Sequence, residues 1–316
     1  MANKHVFGDP KFASEHKGVT YYNSSAKAKE MFDKEPNKYV EAIQYNGYCA
    51  TGLSMGKQIE SDPALFSKLN EKVYFFSSEE AKCRPLSMLL KVRQDYPVAL
   101  HGVGLSVASD NGVSERYLGK LKKLIDRVDP LIVSDHFCWS SLGGHYSHDL
   151  LPFPFNSETL DRICRNVEKT QDVLKRQICL ENISYYLTSK IDEYTEPEFI
   201  NEVCKKTGCG VLFDLNNIYV NSINHQFDPF SFIKALNADN VKQLHLAGPS
   251  QEDGCVFDTH STVVPDIVWK LFEFFNQKKQ DVPVIIEWDE NIPDFSTLEI
   301  EVEKARGYIS ASEANL

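Results

Sequence analysis

The sequence predicts an α/β fold of the (β/α)8 barrel class, and three observations predict it. Short apolar, β-branched runs of strand length recur near 47–53, 73–77, 97–103, 131–136, 178–182, 210–215, 241–246 and 282–288, with helical patterns between them. From the third run onward, each carries at its end a residue type that ligates metals: His101, His136, Glu181, Asp214, His245 and Glu287. The long connections 137–156, 216–228 and 247–262 all follow strands, so a barrel would gather them on its C-terminal face, where functional loops belong. A doubly wound open sheet is the alternative, but it gives no reason for ligand types at so many strand ends.

Taken in order, residues 1–45 lack the strand pattern and read as an N-terminal extension, with AKAKEMFDKEPNKYVEAIQ (26–44) a helix broken near Pro36. A barrel domain follows over 46–316. Its helical stretches are 83–95, 115–128, 157–175, 196–207, 229–238, 264–279 and 296–312. Ser157 is the expected N-cap of the third, ahead of apolar Leu160, Ile163, Val167 and Leu174. In the last strand, VPVIIEWDE (282–290), alternation puts Ile285, Glu287 and Asp289 on one face and Ile286 and Trp288 on the other.

Composition fits this reading. The chain has 316 residues, 42% hydrophobic and 25% charged, which is enough for one large single-domain barrel or for two smaller domains, and length alone does not choose. No Pro, Gly or Ser linker divides it, and no low-complexity segment or short repeat stands out. A net charge of -11 would repel phosphate backbones, which argues against a nucleic-acid partner. The N-terminal stretch has no apolar signal core and no run approaches the ~18 apolar residues of a membrane span, so a cytoplasmic protein with no membrane association is expected. Eight cysteines without a CxxC pair argue against a disulfide framework or a thiolate zinc site and for reduced, mostly buried thiols.

Strand ends of one barrel converge on a small volume. Several carboxylates cannot stay ionised there without cations, because like charges and burial both raise their pKa values, and bound metal resolves the conflict. A lone His such as His101 is more often a structural residue; its companions change that reading. Asn216 lies two residues past Asp214 and, on a continued strand, shares its face. Asp258 and His260 in FDTHS form an Asp-x-His pair able to take a metal from above, an Asx turn being the alternative for the loop. These nine N/O donors exceed one coordination sphere and suit two or three ions. Donor types alone leave iron, manganese and zinc open. Asp135 alternates with His136 and is expected to cap a loop or pack outside. Trp139, Tyr146 and His148 are candidates for substrate contact or for packing, and His225 for proton transfer or substrate positioning, with a structural hydrogen bond as its alternative. The GxG at Gly102–Gly104 lacks the third glycine of a dinucleotide fingerprint.

The stretches HGVGLS, VSDHFCWSSLGGHYSHDLLPFP, LENISYYL, TGCGVLFDLNNIYVNSINHQFDP, HLAG, DTHSTVVPDIVW and IIEWD, in this order over about 97–306, resemble the multinuclear non-heme iron-dependent oxidative enzymes, the family typified by the methanobactin-biosynthesis B protein. The resemblance implies a xylose-isomerase-like (β/α)8 TIM barrel. It also implies two to three irons of mixed Fe(II)/Fe(III) valence, molecular oxygen as cosubstrate, and oxidative modification of residues, commonly cysteine, in ribosomally made precursor peptides. By the same resemblance His101, His136, Glu181, Asp214, His245 and Glu287 are ligands of two central irons, and Asn216, Asp258 and His260 of a third. A partner protein that presents the precursor's leader is implied as well. Residues 1–45 match nothing in the family, and VYFFSSEEAKC matches its second strand only loosely. The rival readings are a divalent-metal sugar-isomerase-like or endonuclease-like barrel, and a non-catalytic peptide-binding module, which leaves the buried carboxylates unexplained.

Overall fold

Helix boundaries follow the caps that the sequence supplies. In this computed structural model, which describes residues 10–17, 19–23, 25–37, 62–69, 72–76, 79–142 and 145–313, the helix Glu115–Val128 starts where Ser114 Oγ accepts the Tyr117 N–H and ends at Asp129 in the left-handed region. Helix Glu196–Thr207 is closed by Glu198, whose Oε2 accepts the Thr195 N–H at 2.9 Å, and stops at Gly208 (φ 70°). For helix Ser157–Leu174 the cap is Asn156, one residue earlier than expected: its Oδ1 accepts the Thr159 N–H at 3.0 Å, and the Ser157 N–H is instead held by Glu193.

The chain forms two compact units, Met1–Tyr96 and Pro97–Leu316. In the first, β1 (Ala13–His16) and β2 (Val19–Tyr22) form an antiparallel hairpin followed by helix Ala26–Lys34; β3 (Asp62–Leu69) and β4 (Lys72–Phe76) form another, followed by helix Glu79–Asp95. One motif therefore occurs twice, and the sequence repeats with it: Asp9-Pro10 matches Asp62-Pro63, and VTYYNSSAKAK matches VYFFSSEEAK with one residue dropped. The repeat escaped the sequence reading because its identities are few. The stretch 73–77, expected as a parallel barrel strand, is thus one arm of a hairpin, since only Asn70 and Glu71 separate it from β3, too few for a parallel crossover. The expected strand at 47–53 lies outside the described residues.

In the second unit β5 (Ala99–Gly102), β6 (Ile132–His136), β9 (Cys179–Glu181), β10 (Gly210–Asp214), β11 (Val241–Leu246) and β14 (Val284–Ile286) form one parallel sheet; between them lie the antiparallel pairs β7 (Trp139–Leu142) with β8 (His145–Leu151) and β12 (Ser250–Glu252) with β13 (Cys255–Phe257). Every parallel strand is hydrogen-bonded to its predecessor in the order β5-β6-β9-β10-β11-β14. A doubly wound sheet reverses order part-way; this one does not. The sheet also curls. β5 and β11 have three strands between them, which on a flat sheet puts them about 19 Å apart, yet the rings of His101 and His245 are 5.6 Å apart. These are six consecutive units of a (β/α)8 barrel. Helices pack outside through a core that includes Leu118, Ile163, Val167, Phe199, Phe213, Leu244, Trp269 and Phe272, each side chain of this kind contributing roughly 1.5–3 kcal/mol on burial.

The three long connections hold more regular structure than loops. The first contains the β7–β8 hairpin and the third the β12–β13 hairpin. The second is helix Leu215–His225, which begins at once because Asp214 is its N-cap, Oδ1 accepting the Asn217 N–H at 2.7 Å. Asn216 therefore sits in the first turn of a helix, not on a continued strand. No helix among the described residues is long and apolar enough to cross a membrane, and Cys138, Cys164, Cys179, Cys204 and Cys209 are free and buried.

Candidate metal centre

Strand register builds the site. His136 lies opposite Glu181 across β6 and β9, and Asp214 opposite His245 across β10 and β11, so each pair meets side by side at the strand ends. Glu181, 2% exposed, is the hub: Oε2 is 2.9 Å from His101 Nε2 and 3.2 Å from His136 Nε2, while Oε1 is 3.1 Å from His245 Nδ1. Glu287 follows β14, its N–H donating to the Leu246 carbonyl at 2.9 Å, and its Oε2 is 2.7 Å from His245 Nδ1 and 3.4 Å from His260 Nδ1. Asp214 is fully buried, with Oδ2 3.9 Å from His260 Nε2.

Neighbours fix the ring orientations. His101 Nδ1 is 2.9 Å from Ser134 Oγ, and His136 Nδ1 is 2.9 Å from the Gly102 carbonyl, so both rings turn Nε2 inward. Gly102 is needed there: a Cβ would lie 2.4 Å from both Asp135 Oδ2 and Tyr117 Oη, which are hydrogen-bonded to each other at 2.7 Å behind the strand. Asp135 also accepts the Leu105 N–H, fixing the turn after β5.

A second tier covers the mouth from loops. His260 Nε2 is 2.6 Å from Asp258 Oδ1, which also accepts the Asn216 amide at 2.7 Å; Asp258 Oδ2 accepts Ser184 Oγ at 3.0 Å. His260 adopts φ 46°, a left-handed conformation uncommon outside glycine, and its carbonyl accepts the Asp289 N–H at 2.9 Å. Asp289, whose carboxylate is 3.1 Å from His260 Nδ1, was not among the sequence candidates. Its parity with Glu287 was the available signal.

Three groups of these residues bring potential ligand atoms within 4.8 Å of one another: His101, His136 and Glu181; Glu181, Asp214, His245 and Glu287; and His260, Glu287 and Asp289. Glu181 belongs to two groups, and so does Glu287. Within the cluster Glu181 Oε2, Asp214 Oδ2, Asn216 Oδ1, His245 Nδ1 and His260 Nε2 are buried without a partner in hydrogen-bond geometry. An orphaned buried polar atom is costly, and five aimed at one small volume fit cations held among them.

The electrostatics carry the same conflict. Burial pushes Glu181 up, but the close imidazoles of His101 and His245 outweigh it and hold the carboxyl below its usual range. Burial pushes His260 down, yet Asp258, Asp214 and Glu287 bring it up to about 10. His245 is opposed by burial too and is held well above the usual value by Glu181 and Glu287. Asp214 is raised well above the carboxylate range, first by burial, and the negative Glu181 and Asp258 add to the rise against the pull of His260. Protons on the imidazoles balance carboxylates that cations would otherwise balance.

The structure thus brings His101, His136, Glu181, Asp214, Asn216, His245, Asp258, His260 and Glu287 together. His225 stands apart: Nε2 is 2.8 Å from the Tyr185 carbonyl, and its ring stacks on the Tyr185 ring at 4.7 Å. Trp139 turns its indole N–H to the Ser141 carbonyl at 2.9 Å.

Fold and cluster define an α/β barrel protein with groups able to bind metal ions at the C-terminal mouth of its strands. The sequence profile described as RiPP precursor modification enzyme MbnB/TglH/ChrH matches residues 65–310, and the chain belongs to that family. Relatives include a UPF0276 protein of Caulobacter vibrioides (strain NA1000 / CB15N), 48% identical over 223 residues that cover 71% of this chain and 80% of that one, and a UPF0276 protein of Anaeromyxobacter sp. (strain Fw109-5), 43% identical over 233 residues covering 74% and 82%. Among solved structures, a D-tagatose 3-epimerase-like protein aligns with a TM-score of 0.49 at 16% identity over 73% of this chain and 85% of that one; a likeness of that size adds nothing to the strand order.

Proposed function

We propose that this member of a precursor-modifying family is a multinuclear non-heme iron enzyme that uses molecular oxygen to modify residues, cysteine foremost, of a ribosomally made peptide. The observation that carries the reading is the ring of ligand types around Glu181 with its five orphaned polar atoms. Imidazole, carboxylate and carboxamide without thiolate suit iron, manganese or zinc; the choice of iron rests on the family resemblance.

In this reading His101, His136, Glu181, Asp214, His245 and Glu287 would hold two central ions, and Asn216, Asp258 and His260, joined by Asp289, would hold an outer one. Iron held there would supply Lewis acidity and a redox relay that passes electrons from the oxidised peptide residue to oxygen. The chain's own part is positional. Ser134 and the Gly102 carbonyl keep His101 and His136 turned inward, and the burial of Glu181, Asp214 and His245 keeps bulk water from the floor of the site. His225 acts through Tyr185, which it stacks against, as a positioning residue. A leader-recognising partner protein completes the proposal, because substrate selection by the leader frees the mouth to act on the core peptide.

The test is co-production with the precursor peptide encoded beside the gene, read by mass spectrometry. The expected result is a mass change on the core peptide that needs iron, oxygen and the leader. An unchanged peptide under those conditions, or turnover by the zinc form without oxygen, contradicts the reading.

A further inference from the structure

In the segments that follow β6 and β9 lies a largely apolar groove with a cavity of about 300 Å³, walled by Trp139, Phe153, Phe155, Tyr185 and Leu187, with Asp192 its one charged lining residue. Its walls continue the strands that bear the ligands: Trp139 follows His136 after β6, and Tyr185 follows Glu181 after β9. The loop that carries Tyr185 also touches the outer tier, since Ser184 Oγ donates to Asp258 Oδ2 at 3.0 Å and the Asp258 N–H donates to Tyr186 Oη at 3.2 Å.

We propose that this groove seats an apolar side chain of the peptide substrate and so sets a neighbouring residue over the metal cluster. The proposal rests on the peptide-modifying reading and adds the chemistry of what the peptide must carry: an aromatic or large aliphatic side chain near the modified position. Three observations select that occupant. The lining is mostly apolar, with Thr188, Ser189 and Asp192 its polar side chains, and Asp192 would repel an acidic side chain. The wall is fixed in advance: Tyr185 is stacked on His225 at 4.7 Å, set edge-on to Phe155 at 6.5 Å, and tied through its hydroxyl to the buried Glu196 carboxylate at 3.2 Å. The rim leaves Leu187 71% exposed, an aliphatic side chain in water beside an apolar slot.

The experiment measures binding, not turnover. Acetylated peptides Gly-Xaa-Gly-Cys-Gly, with Xaa Phe, Leu, Ser or Asp and with glycine spacers of several lengths, are titrated into iron-loaded protein and followed by anisotropy of a terminal dye. The expected result is that the Phe and Leu peptides bind about tenfold or more tightly than the Ser peptide, with Asp weakest. That advantage should vanish in Leu187→Ser, a change at an exposed position, and in Trp139→Ala, with metal content unchanged. Equal affinity for Phe and Ser peptides, no binding by any peptide, or an advantage undiminished in both variants overturns the groove; modification of the full precursor in the same preparation then leaves the proposed function standing. A Phe advantage lost in the variants supports the groove even where no peptide is modified, and in that case the reaction is what fails.

Discussion

The floor and the cover of the mouth are built differently. Floor residues Glu181, Asp214 and His245 stand at ends of neighbouring parallel strands, almost fully buried; register sets Asp214 opposite His245 and Glu181 opposite Leu212, two residues before Asp214 on the same strand. Cover residues come from elsewhere: Asn216 from a helix turn, Asp258 and His260 from a loop with a left-handed residue, and Asp289 from the chain after β14, its side chain 62% exposed. A strand-built floor is preorganised at no cost beyond folding the barrel. The cover is held by its own hydrogen bonds, so on the proposed reading an ion bound there would be lost more readily than one held on the floor.

The largest effect should come from Glu181→Gln. It keeps the volume but removes the charge that two groups share, so the central ions and activity should fall together by about a hundredfold or more, with the fold retained by circular dichroism. Ions retained at full occupancy would deny Glu181 its place as hub. Glu287→Gln and Asp258→Ala sharpen the contrast: the first should lose central ions and activity, the second only the outer ion. An Asp258→Ala protein empty of all metal, or a Glu287→Gln protein with full metal and turnover, would erase the distinction between floor and cover. Smaller still, Ser134→Ala frees the His101 ring without removing a ligand, so metal should bind about 10–100-fold more weakly and be restored by excess metal.

The smallest effect lies outside both tiers. Burial pushes the Glu196 carboxyl up to about 8 despite the Tyr185 hydroxyl. A carboxyl raised on folding holds its proton in the folded state where the unfolded chain has lost it, so its contribution to stability declines as pH rises from about 4.5 to about 8. Glu196→Gln should therefore raise Tm at pH 8 by several degrees and leave it nearly unchanged at pH 4.5. A Tm gain of equal size at both values would mean that the carboxyl does not titrate on folding.

Legibility in the sequence followed the same division. The floor could be read because strand ends announce themselves: an apolar run closed by His101, His136, Glu181, Asp214, His245 or Glu287 needs only strand parity. Helices 115–128 and 196–207 are legible as helical patterns between the strand runs, while the caps that bound them, Ser114, Glu198 and Gly208, are set by the structure. Strand parity alone extends β10 through Asn216, because parity says nothing about a cap, and Asp214 caps a helix. Asp289 shares Glu287's face by parity, but its place at the site depends on the His260 carbonyl that accepts its N–H, which the sequence does not reveal. β4 reads in sequence like a barrel strand because an apolar run carries no mark of whether its partner is parallel or antiparallel.

The most direct test of the central claim is the metal content of the intact chain produced with iron, measured by elemental analysis beside the Asp258→Ala variant. Two to three irons per chain, reduced by one in the variant, is the predicted result. A colourless protein holding one zinc, unchanged by the substitution, would contradict it.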